Sequence, residues 1–152
     1  MISPRPFLRS ATIDDVEKVL SLARGFYQHF SYPWDDETKR KALLQLLDDP
    51  MAGQVWLVFL NEELVGYVIL SYYFSLEYNG RTAVIDELYI SPDYRGRGIG
   101  KETLQQICNF AGDHGLTALH LESELTNVRA TALYKKLGFV SKGRMFMTRC
   151  LD

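Results

Sequence analysis

The stretch SPDYRGRGIGKETL, Ser91 to Leu104, sets Gly96, Gly98 and Gly100 alternately with Arg95, Arg97 and Ile99, and Lys101 follows. Bare backbone and positive charge just ahead of a helical pattern make an anion site. Free N–H groups at a helix start and the local dipole attract a phosphate, and missing side chains let a ligand lie close to the chain. Two familiar nucleotide patterns fail on the letters. A dinucleotide fingerprint needs Gly at 101 or 103, where Lys101 and Thr103 stand. A P-loop needs Gly at 95 and Ser or Thr at 102, where Arg95 and Glu102 stand. The physical demand for an anion survives both failures; the alternative is a glycine-rich turn that merely starts a helix.

Outward from this stretch the elements alternate. TAVIDELYI, residues 82–90, reads as a strand that stops at Pro92. After the glycines a helix runs to about Ala111, with Ile99, Leu104, Ile107, Cys108 and Ala111 inward and Gly112 and Gly115 at its end. LTALHLES, 116–123, is another strand. Asn127 opens a helix with Ala130, Leu133, Tyr134 and Leu137 on one face, and Gly138 caps it. FVSKG and RMFMTRCL read as two short closing strands. Upstream, Phe7 to Ala11 is a first strand. Thr12 with Asp15 makes a capping box for a helix through Val16, Val19, Leu20, Ala23 and Phe26. Pro33 breaks that helix, and a second takes in Lys39 to Leu47. QVWLVFL and LVGYVILSYYF, joined at NEE, form a hairpin, and a turn at Asn79-Gly80 leads to the acid-bearing strand. The order βααβββαβαββ predicts an α/β fold, a mixed sheet with helices on both faces.

The chain has 152 residues, 47% hydrophobic and 24% charged, which predicts one globular domain over residues 1–152. A net charge of -2 excludes a general basic field for nucleic acid. Cys108 and Cys150 make no disulfide framework. No apolar run is long enough for a membrane span and MISPRPFLRS is no signal peptide, so a cytoplasmic protein is expected.

Arg95-x-x-Gly98-x-Gly100 resembles the acetyl-CoA pyrophosphate signature of the GNAT superfamily of N-acetyltransferases, and NVRATALYKKLGF, Asn127 to Phe139, resembles that family's second signature. The likeness covers nearly the whole chain in order and spacing. It implies a GNAT-like, mostly antiparallel sheet, acetyl-CoA as cosubstrate, no metal, and a homodimer. Backbone N–H groups of Arg97, Gly98, Ile99, Gly100 and Lys101 would cradle the pyrophosphate, with Arg95, Arg97 and Lys101 supplying charge and Gly96 in the same coenzyme site, which Asn127 and Tyr134 would complete. The pantetheine arm would lie along Leu88, Tyr89 and Ile90, where a β-bulge splays the strand from its neighbour. The likeness also makes Tyr134 the acid that protonates the leaving thiolate.

Asp86 and Glu87 stand inside an otherwise apolar strand, where an unpaired carboxylate is costly, so one face opens on a cleft. Alternation sends them to opposite faces. Polyamine acetyltransferases of this superfamily carry a similar acid pair. Glu87 is favoured as a base working through water, with Asp86 as anchor or alternate base; Glu122 and Glu124 are lesser candidates. Tyr27, Tyr32, Trp34 and Tyr72 belong to an aromatic-rich region that, with Glu87, suits a cationic amine. A small amine or polyamine is the expected acceptor. A protein lysine or N-terminal amine, or a catalytically weak domain that senses acyl-CoA, are the alternatives.

Overall fold

The computed structural model describes residues 4–151; residues 1–3 and 152 of the expected domain lie outside the described residues. Two compact units divide the chain after Glu122. The larger carries a sheet of five strands in the order β1 to β5. These are β1 (Phe7–Ser10), β2 (Gly53–Leu60), β3 (Glu63–Ser75), β4 (Gly80–Ile90) and β5 (Leu119–Leu121). The first four run antiparallel in sequence, and β5 joins β4 in parallel.

Helices cover both faces. α1 (Val16–His29) and α2 (Asp36–Asp48) bury Val16, Val19, Leu20, Ala23 and Leu43 against Val55, Leu57, Tyr67, Ile69 and Tyr89. On the other face α3 (Ile99–Asp113) buries Leu104, Ile107 and Ala111, and its Phe110 ring meets Trp56 at 4.8 Å. Each such fully buried Leu or Ile stabilises by about 1.5–3 kcal/mol relative to exposure.

α1 begins as its letters require. The Thr12 N–H donates to Asp15 Oδ2 at 2.9 Å, and Arg9 grips the same carboxylate with bonds of 2.9 and 3.0 Å. That pairing holds the Asp15 carboxyl far below the usual carboxylate range, chiefly through the Arg9 hydrogen bonds. α2 starts at Asp36, three residues before the sequence reading, because Asp35 caps it by accepting from the Thr38 N–H at 2.9 Å.

The strand expected over 116–123 shrinks to Leu119–Leu121. Leu116 is spent closing α3, its N–H donating to the Ala111 carbonyl at 3.0 Å, and the Thr117 N–H bonds the Arg81 carbonyl at 3.0 Å.

The second unit holds α4 (Val128–Lys136), capped by the Asn127 side chain accepting from the Ala130 N–H at 3.2 Å. Gly138, at φ 92°, ends it as expected. The two closing strands do not form: the described residues from 139 onward pair with no strand, and Met145, Phe146 and Met147 are exposed. A run of alternating letters becomes a strand only where a neighbour supplies the ladder of hydrogen bonds. No helix among the described residues is long and apolar enough to cross a membrane.

Candidate active site

The centre of the site is a break in the β3–β4 ladder. Ile69 pairs with Glu87 and Leu70 with Ile85, so Asp86 is one residue too many and has no partner. Such a bulge interrupts the period of two. The expectation of opposite faces for the two acids therefore fails. The bulge sets Asp86 beside Glu87, and its charge opposes ionisation of both Glu87 and Tyr27.

Glu87 is held from two sides. The Tyr67 hydroxyl donates to Oε1 at 2.6 Å and the Tyr27 hydroxyl to Oε2 at 2.9 Å. Tyr67 is fully buried on β3 and Tyr27 lies on the last turns of α1, so the sheet and the helix each supply a donor. Burial raises the Glu87 carboxyl above its ordinary range, and the two phenols pull the other way without cancelling it. Both phenols are pushed up in turn, first by burial and then by the Glu87 charge, so they stay protonated donors. Asp86 is exposed, yet the protein around it removes enough water to raise its carboxyl too.

Around this carboxylate lie the aromatics of α1 and the turn after it. The Tyr27 ring meets Trp34 at 5.2 Å and Tyr32 at 5.9 Å. The Trp34 indole N–H donates to Asp36 at 3.2 Å. Lys39 places its Nζ 4.7 Å from the centre of the Tyr27 ring. Tyr72 is not brought here. Its hydroxyl reaches Gln54, and the Arg81 guanidinium covers its ring at 4.0 Å.

A second helix-ward fit concerns Tyr89, the partner of Tyr67 across the ladder. A Cβ on Gly25 of α1 would come within 2.4 Å of the Tyr89 hydroxyl, so the bare glycine lets that ring approach the helix.

The glycine stretch has the geometry of a cradle. Gly96 and Gly98 have φ of 76° and 79°, and Gly98 caps α3 in the left-handed conformation. A Cβ on Gly98 would meet nothing within 4 Å, so open space faces the helix start. Arg97, Gly98, Ile99 and Glu102 face Pro4, Arg5 and Pro6 across a hollow of about 180 Å³, and Lys101 is exposed. Arg95 turns back: its Nε donates to the Ile90 carbonyl at 2.8 Å and its guanidinium lies 5.3 Å from the Tyr89 ring. β5 pairs with β4 only at Ala83, Val84 and Ile85. Among the described residues no strand pairs with that edge of Leu88, Tyr89 and Ile90.

Asn127 and Tyr134 lie in the second unit. Asn127 caps α4, and the half-buried Tyr134 ring meets Phe139 at 6.2 Å. Burial raises the Tyr134 phenol, which keeps it protonated.

Sequence reasoning missed Tyr67, Lys39 and Arg5. Tyr67 sits in the apolar run LVGYVIL and reads as core; only the register that sets it beside Glu87 gives its hydroxyl a task. Lys39 reads as a solvated residue at a helix start. Arg5 carries no signal in a short amino-terminal stretch.

The model of the acetyltransferase (GNAT) family matches residues 16–139. Thialysine N-epsilon-acetyltransferase of Bos taurus is 40% identical over 76 residues, which cover 49% of this chain and 44% of that protein. The match thus spans less than half the length of that relative. The L-methionine sulfoximine/L-methionine sulfone acetyltransferase of Pseudomonas aeruginosa is 26% identical over 91% of this chain and 82% of its own. Among solved structures, integron cassette protein HFX_CASS3, from the mobile metagenome of Cole Harbour Salt Marsh, superposes with a TM-score of 0.84. It is 32% identical over 95% of this chain and 90% of that one.

Proposed function

The chain belongs to the acetyltransferase (GNAT) family, and from that premise we propose that it moves the acetyl group of acetyl-CoA directly to a primary amine of a small molecule. The observation that carries this reading is the half-buried Glu87 carboxylate, held by Tyr27 and Tyr67 beside Asp86 among aromatic side chains. A carboxyl whose pKa burial has raised is a better base toward an ammonium than an ordinary one. The relatives that act on thialysine and on methionine sulfoximine are named for amine-bearing substrates, which supports an amine acceptor. The family match runs through both units, which supports reading residues 1–152 as one domain.

In this reading the stretch from Arg97 to Lys101 takes the coenzyme pyrophosphate on backbone N–H groups, and the open, left-handed backbone at Gly98 fits that task. The Leu88–Ile90 edge takes the pantetheine arm, and a backbone N–H near Ile90 donates to the thioester carbonyl as charge develops on it. Glu87, through water, accepts the ammonium proton, and Asp86 anchors the amine. The neutral amine attacks the carbonyl, the C–N bond forms and the C–S bond breaks. Tyr134 gives its proton to the departing thiolate. In this reading the transfer is direct, with no acyl-enzyme intermediate.

Thiol release from acetyl-CoA, measured against a panel of amines, tests the reading. Release with one amine class is expected, and Tyr134→Phe should slow it by about ten- to a thousandfold. Tight acetyl-CoA binding without release from any amine would overturn it in favour of a sensor. The exposed Met145, Phe146 and Met147 support a homodimer; sedimentation as a single 17.5 kDa species would refute that part.

A further inference from the structure

We propose that Lys39 is the carboxylate anchor of the acceptor, and that the acceptor is an amino acid acetylated on its amine, not a polyamine. The inference rests on the acetyl-transfer reading above and narrows its substrate.

Lys39 lies on the first turns of α2, half-buried, with its Nζ over the face of Tyr27. The hydroxyl of the same ring is bonded to Glu87. One tyrosine thus joins a cation over its face to a carboxylate at its hydroxyl, and the Lys39 charge is felt at Glu87. The neighbouring cations are all committed. Arg24 binds Asp36 at 2.5 Å, Arg40 binds Glu17 and Asp36 at 2.9 Å each, and Lys41 binds Glu37 at 3.1 Å. Among the described residues Lys39 makes no ion pair.

The cleft therefore has two carboxyls at the bulge and one unpaired cation at its helical wall. A molecule with an amine at one end and a carboxylate at the other satisfies both. Its ammonium meets Asp86 and Glu87, and its carboxylate accepts from the Lys39 ammonium. A polyamine would bring a second positive charge toward Lys39, and like charges at close range discriminate strongly against a ligand. Most of a tyrosine ring separates the two ends of the cleft, so amine and carboxylate stand several bonds apart, as in a side-chain amine of a diamino acid.

The test is thiol release with acceptors paired with their decarboxylated forms: lysine with cadaverine and ornithine with putrescine. For the wild-type protein the better amino acid should exceed its partner amine in kcat/KM by about tenfold or more, the span of one charge-assisted bond. Lys39→Met should raise KM for that amino acid about ten- to a hundredfold and raise kcat/KM for the amine, while Lys39→Arg keeps the wild-type order. A wild-type preference for the decarboxylated amines overturns the inference and leaves acetyl transfer standing. So does an equal loss on both acceptors in a folded Lys39→Met protein. Acetyl-CoA binding with no release from any amine removes acetyl transfer itself, and this inference with it.

Discussion

Replacing Tyr67 by Phe removes one oxygen from a side chain with no exposed surface and leaves the packing of its ring intact. What is lost is the 2.6 Å bond to Glu87 Oε1. A hydrogen bond to a charged group contributes about 1.5–3 kcal/mol, and one pKa unit corresponds to about 1.36 kcal/mol. Burial already raises Glu87, and the Tyr67 bond is the larger of the two phenol contributions that oppose it. Without it the carboxyl should rise further, since burial then meets less opposition. If Glu87 is the base, the acidic limb of the kcat/KM profile moves to higher pH, because the base must be ionised to act. Stability follows the same sign. A carboxyl whose folded pKa is raised contributes fully below its unfolded value of about 4.3 and loses that contribution as pH rises through the folded pKa. The variant should therefore fall further behind the wild-type protein as pH rises, and the gap should narrow in acid. Thiol-release kinetics and denaturant titrations across about pH 5–9 read both effects. A folded variant whose acidic limb stays in place would refute Glu87 as the base. Tyr27→Phe should shift the limb the same way.

Three further outcomes are expected. Gly25→Ala should destabilise by about 1–3 kcal/mol in denaturant unfolding, because its Cβ meets the Tyr89 hydroxyl, and Tyr89→Phe in the same chain should recover part of that loss; no recovery would place the strain elsewhere. Asp15→Asn should lower the melting temperature at neutral pH. Since Arg9 depresses the Asp15 pKa, the difference should shrink as pH falls below about 4, and a constant difference would refute the pairing as its source. Gly98→Val places a branched side chain at φ 79°, where only glycine is at ease, and points it into the open space before α3. Calorimetry should show acetyl-CoA affinity down about tenfold or more in a folded protein, and unchanged affinity would refute the cradle.

The letters of the chain already determined its local events. The Thr12–Asp15 box, Pro33, the glycines at 96 and 98 and Gly138 act through backbone dihedrals and hydrogen bonds that neighbours a few residues apart settle among themselves. The same holds for the apolar stripes of α1 and α3 and for the alternation of the hairpin, so the order of elements was legible as far as α4. The acid pair also stood out, because carboxylates are costly in an apolar run. Tertiary structure decided what that pair is. The extra residue at Asp86 is visible only when β4 is laid against β3, since a bulge is a property of two strands and not of one. The hold on Glu87 comes from Tyr67 and Tyr27, which are 20 and 60 residues away in sequence. Tyr72 was separated from the cleft by the same register, and FVSKG and RMFMTRCL remained without a ladder. Local preferences are intrinsic to a segment, whereas a burial-raised pKa, a donor to a half-buried carboxylate and a strand's hydrogen bonds all require a second segment to arrive.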